Sequence, residues 1–229
     1  MKKVILIIVV VLVALFLLTK TNQSVKHEQT GVYPWQIDIV ENGSVRVFNI
    51  TLEKTSLAEA NVILNTEPKI ALFESKTGLA LEAFYKGVMK GGLGGDYILT
   101  MQADDKLLSE MKENIKKLNL KAKPMESGSI QYTLDQSSYQ LALTLKVKSL
   151  NFIPYANLDE EIIVKRFGEP DSVITSKLDD DKEVLQKHYL YSAKGLDIIL
   201  NTKGKEVLQY ATPADFKRLV EPLSRITGQ

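Results

Sequence analysis

Cysteine is absent from the 229 residues. That one absence removes disulfides, thiolate metal sites, cysteine nucleophiles and lipid attachment at cysteine. Histidine is scarce, with only His27 and His188. A histidine zinc centre needs two or three converging ligands, so catalytic zinc is not expected. No Gly-x-Ser-x-Gly elbow occurs. Gly91-Gly92-Leu93-Gly94-Gly95 lacks the Lys-Ser/Thr of a phosphate loop and reads as a flexible hairpin tip. Asp179-Asp180-Asp181 lacks the alternating oxygens and closing Glu of a calcium loop and reads as a solvated turn. An excess of positive charge is lacking as well. Four of the 29 Lys and Arg (Lys2, Lys3, Lys20 and Lys26) precede the first acid, Glu28, leaving 25 bases against 28 acids in the remainder. A body with net charge −3 has no basic footprint for nucleic acid. The balance of 45% hydrophobic and 25% charged residues is that of a folded protein.

What the chain does have, first, is an apolar run. Val4 to Leu18 is unbroken and is preceded by Lys2 and Lys3. At 1.5 Å per residue it spans about 22 Å, a length that flanking lysines can extend by snorkelling. The segment after it, Thr19-Lys20-Thr21-Asn22, offers no small-x-small cleavage pattern, which favours a retained anchor over a cleaved signal peptide. The expectation is a transmembrane helix over 1–20 and a polar tether over 21–34. The lysines before the run lead to the expectation of a single pass in the inner (cytoplasmic) membrane, with the body periplasmic or extracytoplasmic.

The body reads as α+β. Trp35 to Val40 alternates like a strand, Asn42-Gly43 signals a hairpin, and Ser44 to Leu52 returns. A weak internal repeat follows. Ser56-Leu57-Ala58-Glu59 and Asn157-Leu158-Asp159-Glu160 each open a short helix with a capping residue and a Glu three places on. Asn65 with Pro68, and Gly168 with Pro170, close them. After each helix the pattern predicts strands: Ile70–Phe73, Phe84-Tyr85 and Tyr97–Met101 in the first copy; Val173–Thr175, Tyr189–Tyr191 and Leu196–Leu200 in the second. A hairpin through Asn201–Gly204 leads into Glu206–Tyr210. Helices over about 105–118 and from Thr212-Pro213 end the copies. Between the copies fall a strand at Ser129–Leu134, a helix near Ser137–Leu143 and a strand at Lys146–Ile153. The expected architecture is therefore a transmembrane helix followed by two related helix-plus-antiparallel-sheet units, 35–150 and 151–229.

The stretch Leu158 to Pro170, with Phe167-Gly168-Glu169-Pro170 at its centre, followed by Tyr189-Leu190-Tyr191 and the hairpin to Tyr210, resembles the SmpA/OmlA family of small outer-membrane-assembly lipoproteins. The tandem arrangement is similar to the β-lactamase-inhibitory-protein fold. The family's lipidated Cys is missing, and Ala156-Asn157-Leu158 stands where its helix begins with a Gly-Met-Thr-like sequence. What the resemblance implies is the fold and an envelope location.

The functional expectation is a membrane-anchored, non-catalytic protein-interaction or scaffold module of the bacterial envelope, with no cofactor or metal. An unidentified envelope protein and the membrane are its expected partners. A small-ligand or peptidoglycan-binding groove between the units is the second reading, and a hydrolase with its site there is the third. Tyr85, Tyr97, Tyr189, Tyr191 and Tyr210 are the candidate interaction surface, because a tyrosine joins an apolar ring to a polar hydroxyl.

Overall fold

The computed structural model describes residues 31–40, 43–178 and 181–227. The chain enters through a small antiparallel sheet of β1 (Asp38–Ile39), β2 (Val45–Val47) and β3 (Ile50–Thr51). Phe48 and Asn49 turn the chain between β2 and β3 with φ of +52° and +63°. A left-handed Phe costs about 1–2 kcal/mol. Burying its ring offsets that by about 2–3 kcal/mol. The Phe48 centroid lies 5.0 Å from those of both Tyr97 and Phe152, at the centre of the core.

The first repeat then runs α1 (Leu57–Leu64), β4 (Lys69–Ser75), β5 (Gly78–Lys90), β6 (Leu93–Met101) and α2 (Asp105–Lys117). The middle holds β7 (Ala122–Pro124), β8 (Ile130–Thr133), α3 (Gln136–Thr144) and β9 (Val147–Pro154). The second repeat is α4 (Glu160–Phe167), β10 (Ser172–Leu178), β11 (Asp181–Tyr191), β12 (Leu196–Asn201), β13 (Val207–Tyr210) and α5 (Pro213–Thr227). Leu57 and Glu160, Lys69 and Ser172, Gly78 and Asp181, and Leu93 and Leu196 begin matching elements, each pair 103 residues apart. The repeat is therefore regular through its helix and three strands.

Two separate units were expected, and this is corrected. One ten-stranded antiparallel sheet runs β10-β11-β12-β13-β9-β6-β5-β4-β8-β7, with five helices among the described residues. Strand β9 joins the halves: Leu150 and Phe152 face Leu99 and Tyr97 of β6 on one side and Tyr210 and Leu208 of β13 on the other. The boundary expected at 150/151 falls inside this strand. A shared central strand leaves neither half with an open inner edge.

The transmembrane helix and the inner-membrane location are also corrected. Among the described residues no helix is long and apolar enough to cross a membrane. The longest, α5, has 15 residues and carries Asp215, Lys217, Arg218 and Glu221, whereas a span takes about 20 predominantly apolar ones. The run Val4–Leu18 with Lys2 and Lys3 lies outside the described residues, as do Asn42 and the Asp179-Asp180 pair.

Caps decide where the helices start. At α1 the expected reciprocal pair forms: Ser56 Oγ accepts from the Glu59 amide at 3.3 Å, and Glu59 Oε2 accepts from the Ser56 amide at 2.6 Å. At α4 the cap is Asp159, not Asn157; its carboxylate accepts from the Ile162 amide at 2.8 Å. Glu160 is thereby freed from capping and pairs with Lys187 at 2.9 Å. Helix α1 ends at Asn65 in the left-handed conformation, and α4 ends at Gly168 with φ +84° and ψ −174°.

The two closing helices of the repeats have diverged. Leu108, Met111 and Ile115 of α2 join the main core, whereas Phe216 and Leu223 of α5 pack with Leu190 in a separate cluster on the opposite face of the sheet.

Candidate functional site

All five candidate tyrosines lie on the core face of the large sheet. Tyr85 faces Tyr97 across β5 and β6, Tyr189 faces Ile198, and Leu196 lies between Tyr191 and Tyr210. None is more than 3% exposed, so they do not form an interaction surface, and that expectation is corrected. Their alternation fits a covered face as well as an open one. Three of their hydroxyls instead tie distant segments together, while those of Tyr97 and Tyr189 are buried without a hydrogen-bond partner among the described residues. Tyr85 donates to Asn61 Oδ1 at 2.6 Å, Tyr191 to the Gly168 carbonyl at 2.8 Å, and Tyr210 to the Pro34 carbonyl at 2.8 Å. Burial holds the Tyr85, Tyr97 and Tyr210 hydroxyls well above their ordinary value and moves that of Tyr191 to about 12.

The bond from Tyr210 to Pro34 holds the entry segment against the sheet, and there a pocket opens. Gln36 Oε1 accepts from the amides of Val32 and Tyr33 at 3.0 and 3.1 Å, which closes a tight turn. The turn stacks Tyr33 on Trp35, with centroids 4.9 Å apart and planes 4° from parallel. Trp35 in turn meets Phe167 edge-on at 6.3 Å. Beside Trp35 lies a cavity of about 180 Å³. Phe152 of β9 and Leu208 of β13 lie on its sheet side, and Leu158, Ile162 and Phe167 form its α4 side. The pocket thus sits at the seam where the entry segment, the shared strand and both repeats converge.

Glycine makes this wall possible. A Cβ on Gly95 would lie 2.3 Å from Phe152 Cε2, and one on Gly94 2.8 Å from Met89 Sδ. Gly91 and Gly92 do make the expected hairpin tip, with positive φ, but Gly94 and Gly95 belong to strand β6.

The pocket wall has one charged residue, Arg166, whose guanidinium lies 4.7 Å from the Trp35 ring centroid. Among the described residues no carboxylate pairs with it. The wall is open on its α4 side, where Ile162 is 38% exposed. Outside the pocket, Met89 is 64% and Tyr155 49% exposed. Tyr155 Oη donates to Asp96 Oδ1 at 2.5 Å, which raises the hydroxyl's pKa, and the same carboxylate oxygen accepts from the Gly87 amide at 2.9 Å. Lys205 lies 5.0 Å from the Tyr155 ring centroid. The 103-residue offset maps Leu158, Ile162 and Arg166 onto Thr55, Glu59 and Ile63, which line a shallow depression on α1. The first copy therefore keeps the helix face but carries Glu59, held by its cap and 3.6 Å from Lys146, and has no cation at position 63.

A second constellation lies on the other face of the sheet. Ser176 Oγ is 3.3 Å from His188 Nε2, and His188 Nδ1 is 2.8 Å from Asp197 Oδ2. Strands β10, β11 and β12 bring the three together, an order of contacts like that of a nucleophile relay. Chemistry requires a substrate carbonyl to reach Oγ, and Ser176, His188 and Asp197 are only 4%, 5% and 2% exposed. The neighbouring Ile174 and Leu190 are packed under Phe216 of α5. His188 is therefore buried in a structural pair. Burial raises the Asp197 carboxyl, and His188 opposes that rise. Asp197 Oδ1 has no hydrogen-bond partner among the described residues. Among the described residues no three His, Asp or Glu converge in a metal-binding group.

The residues that build the pocket are drawn from five segments, and none carries a motif. The one available signal was the chain's single Trp, which the sequence reads as the start of a strand, whereas β1 begins at Asp38. Comparison of the chain with protein-family profiles, with curated proteins and with solved structures finds no match.

Proposed function

We propose that the chain is a non-catalytic protein-binding module whose Trp35 pocket receives an apolar side chain of its partner. The observation that carries this is the size of the cavity, about 180 Å³, in an apolar wall where Ile162 is exposed. Sites that enclose a whole small ligand usually measure about 300–1,000 Å³, whereas a void of about 150 Å³ takes a single benzene-sized group. The pocket therefore suits one Leu, Phe or Met side chain with the rest of its chain lying outside. Trp35 and Arg166 in its wall are residue types enriched where protein partners meet. Burying one such anchor contributes about 1.5–3 kcal/mol. The hydrolase reading loses on access to Ser176, and the small-ligand reading on volume.

A photo-crosslinking residue placed at Ile162 in the full chain tests the reading in living cells. The expected result is a discrete adduct joined through an apolar residue of another polypeptide and lost in Trp35→Ala. Adducts at Ile162 that are unchanged by Trp35→Ala would count against it, as would labelling equal to that from Val62, an exposed position on α1.

A further inference from the structure

We infer that the partner segment is acidic as well as apolar: a peptide stretch in which a carboxylate stands beside the anchoring side chain. This rests on the reading of the Trp35 pocket as a protein-docking site and adds the chemistry of what docks. Arg166 is the reason. Among the described residues it is the only charged one in the pocket wall, it is exposed, and its contact is with the face of Trp35 rather than with an acceptor. A cation over an aromatic face leaves its N–H donors for water or a ligand, and a guanidinium fork matches a carboxylate.

Two acids of the same helix are engaged elsewhere: Asp159 caps α4, and Glu160 pairs with Lys187. Among the described residues the pocket wall thus offers a cation and no anion, although residues 28–229 carry a net −3. Only the second repeat has this property, because Ile63 stands where Arg166 does. Complementary charge at an interface rim governs encounter rate and partner choice more than final affinity. The apolar anchor therefore supplies most of the binding and the carboxylate selects among anchors.

The probe is a random 12-residue peptide library displayed on phage and panned against the immobilised full chain at low and at high salt. Clones that also bind Trp35→Ala are discarded. The expected outcome is enrichment of a Phe, Leu or Met next to Asp or Glu, with the acidic preference fading at high salt. Arg166→Glu loses the Trp35 contact and a cation from the last turn of α4, so a small fall in thermal midpoint is expected with the fold retained. It should weaken the enriched peptides by about tenfold or more and shift a fresh selection toward Lys or Arg beside the same anchors. Enrichment of apolar anchors with no acidic neighbour would overturn the inference while leaving the docking site standing. Enrichment of acidic peptides that bind Arg166→Glu equally well would also overturn it. No clones that depend on Trp35 would overturn both.

Discussion

Replacing Gly168 by Ala isolates a purely backbone effect. Gly168 closes α4 with φ +84° and ψ −174°, a region that side-chain-bearing residues occupy at a cost of about 1–3 kcal/mol. A Cβ built there meets nothing within 4 Å, so no tertiary clash adds to the cost. Ala also narrows the unfolded ensemble, which returns about 0.4–1 kcal/mol. The net expectation is a loss of about 1–2 kcal/mol. For a body of this size that lowers the thermal midpoint by about 3–6 °C, with the denaturant slope unchanged. Asn65→Gly at the matching end of α1 is the control: φ 54° and ψ 41° suit Asn and Gly alike, so its midpoint should move little. The substitution also reaches the pocket. The Gly168 amide donates to the Val164 carbonyl at 2.9 Å, and its carbonyl receives the Tyr191 hydroxyl. Phe167 and Arg166 precede it directly, so peptide binding should weaken along with stability. Urea unfolding followed by circular dichroism reads the first effect. A midpoint for Gly168→Ala indistinguishable from that of the wild type would refute the argument.

Ser56→Ala removes one half of the capping pair at α1 and should cost about 1 kcal/mol in urea unfolding; Ser56→Asp should restore most of it. Asp197→Ala leaves His188 buried without its partner and should cost about 3 kcal/mol or more, which is the usual penalty for breaking a buried pair. Asp197→Asn reads the sign of the titration. Because burial raises the Asp197 carboxyl in the folded state, its contribution is complete below the ordinary carboxylate range and is lost as pH rises through the folded value. The Asn variant should therefore gain on the wild type as pH increases from acid toward neutral; a difference independent of pH would contradict that.

Local structure was largely legible because it is written in short-range chemistry. Thr212-Pro213 marks the start of α5 at Pro213, and the apolar positions of α2 follow from its period. Strands β4, β5, β6 and β12 fall where alternation or aromatic content placed them. The cap of α4 was misplaced by two residues because Asn157 and Asp159 both can cap, and only packing chooses between them. That β9 serves both repeats was not legible, since an alternating strand says nothing about how many neighbours it has. The tyrosines misled for a related reason. Alternation shows that they share a face but not that the β1–β3 sheet, led by Phe48, covers it. The pocket was invisible because Trp35, Gly94, Phe152, Arg166 and Leu208 are each unremarkable in sequence and meet only after the sheet has formed.

Trp35 is the only tryptophan of the chain and stands in the pocket wall, so its fluorescence reports on that site and no other. The decisive measurement is a titration of the full chain with a Phe-containing acidic peptide from the library, following Trp35 emission while calorimetry records total binding. The account predicts a saturable change in emission with the same midpoint as the heat, because the anchor displaces water from beside the indole. Heat of binding with Trp35 emission unchanged at saturation would place the peptide elsewhere and contradict the central claim.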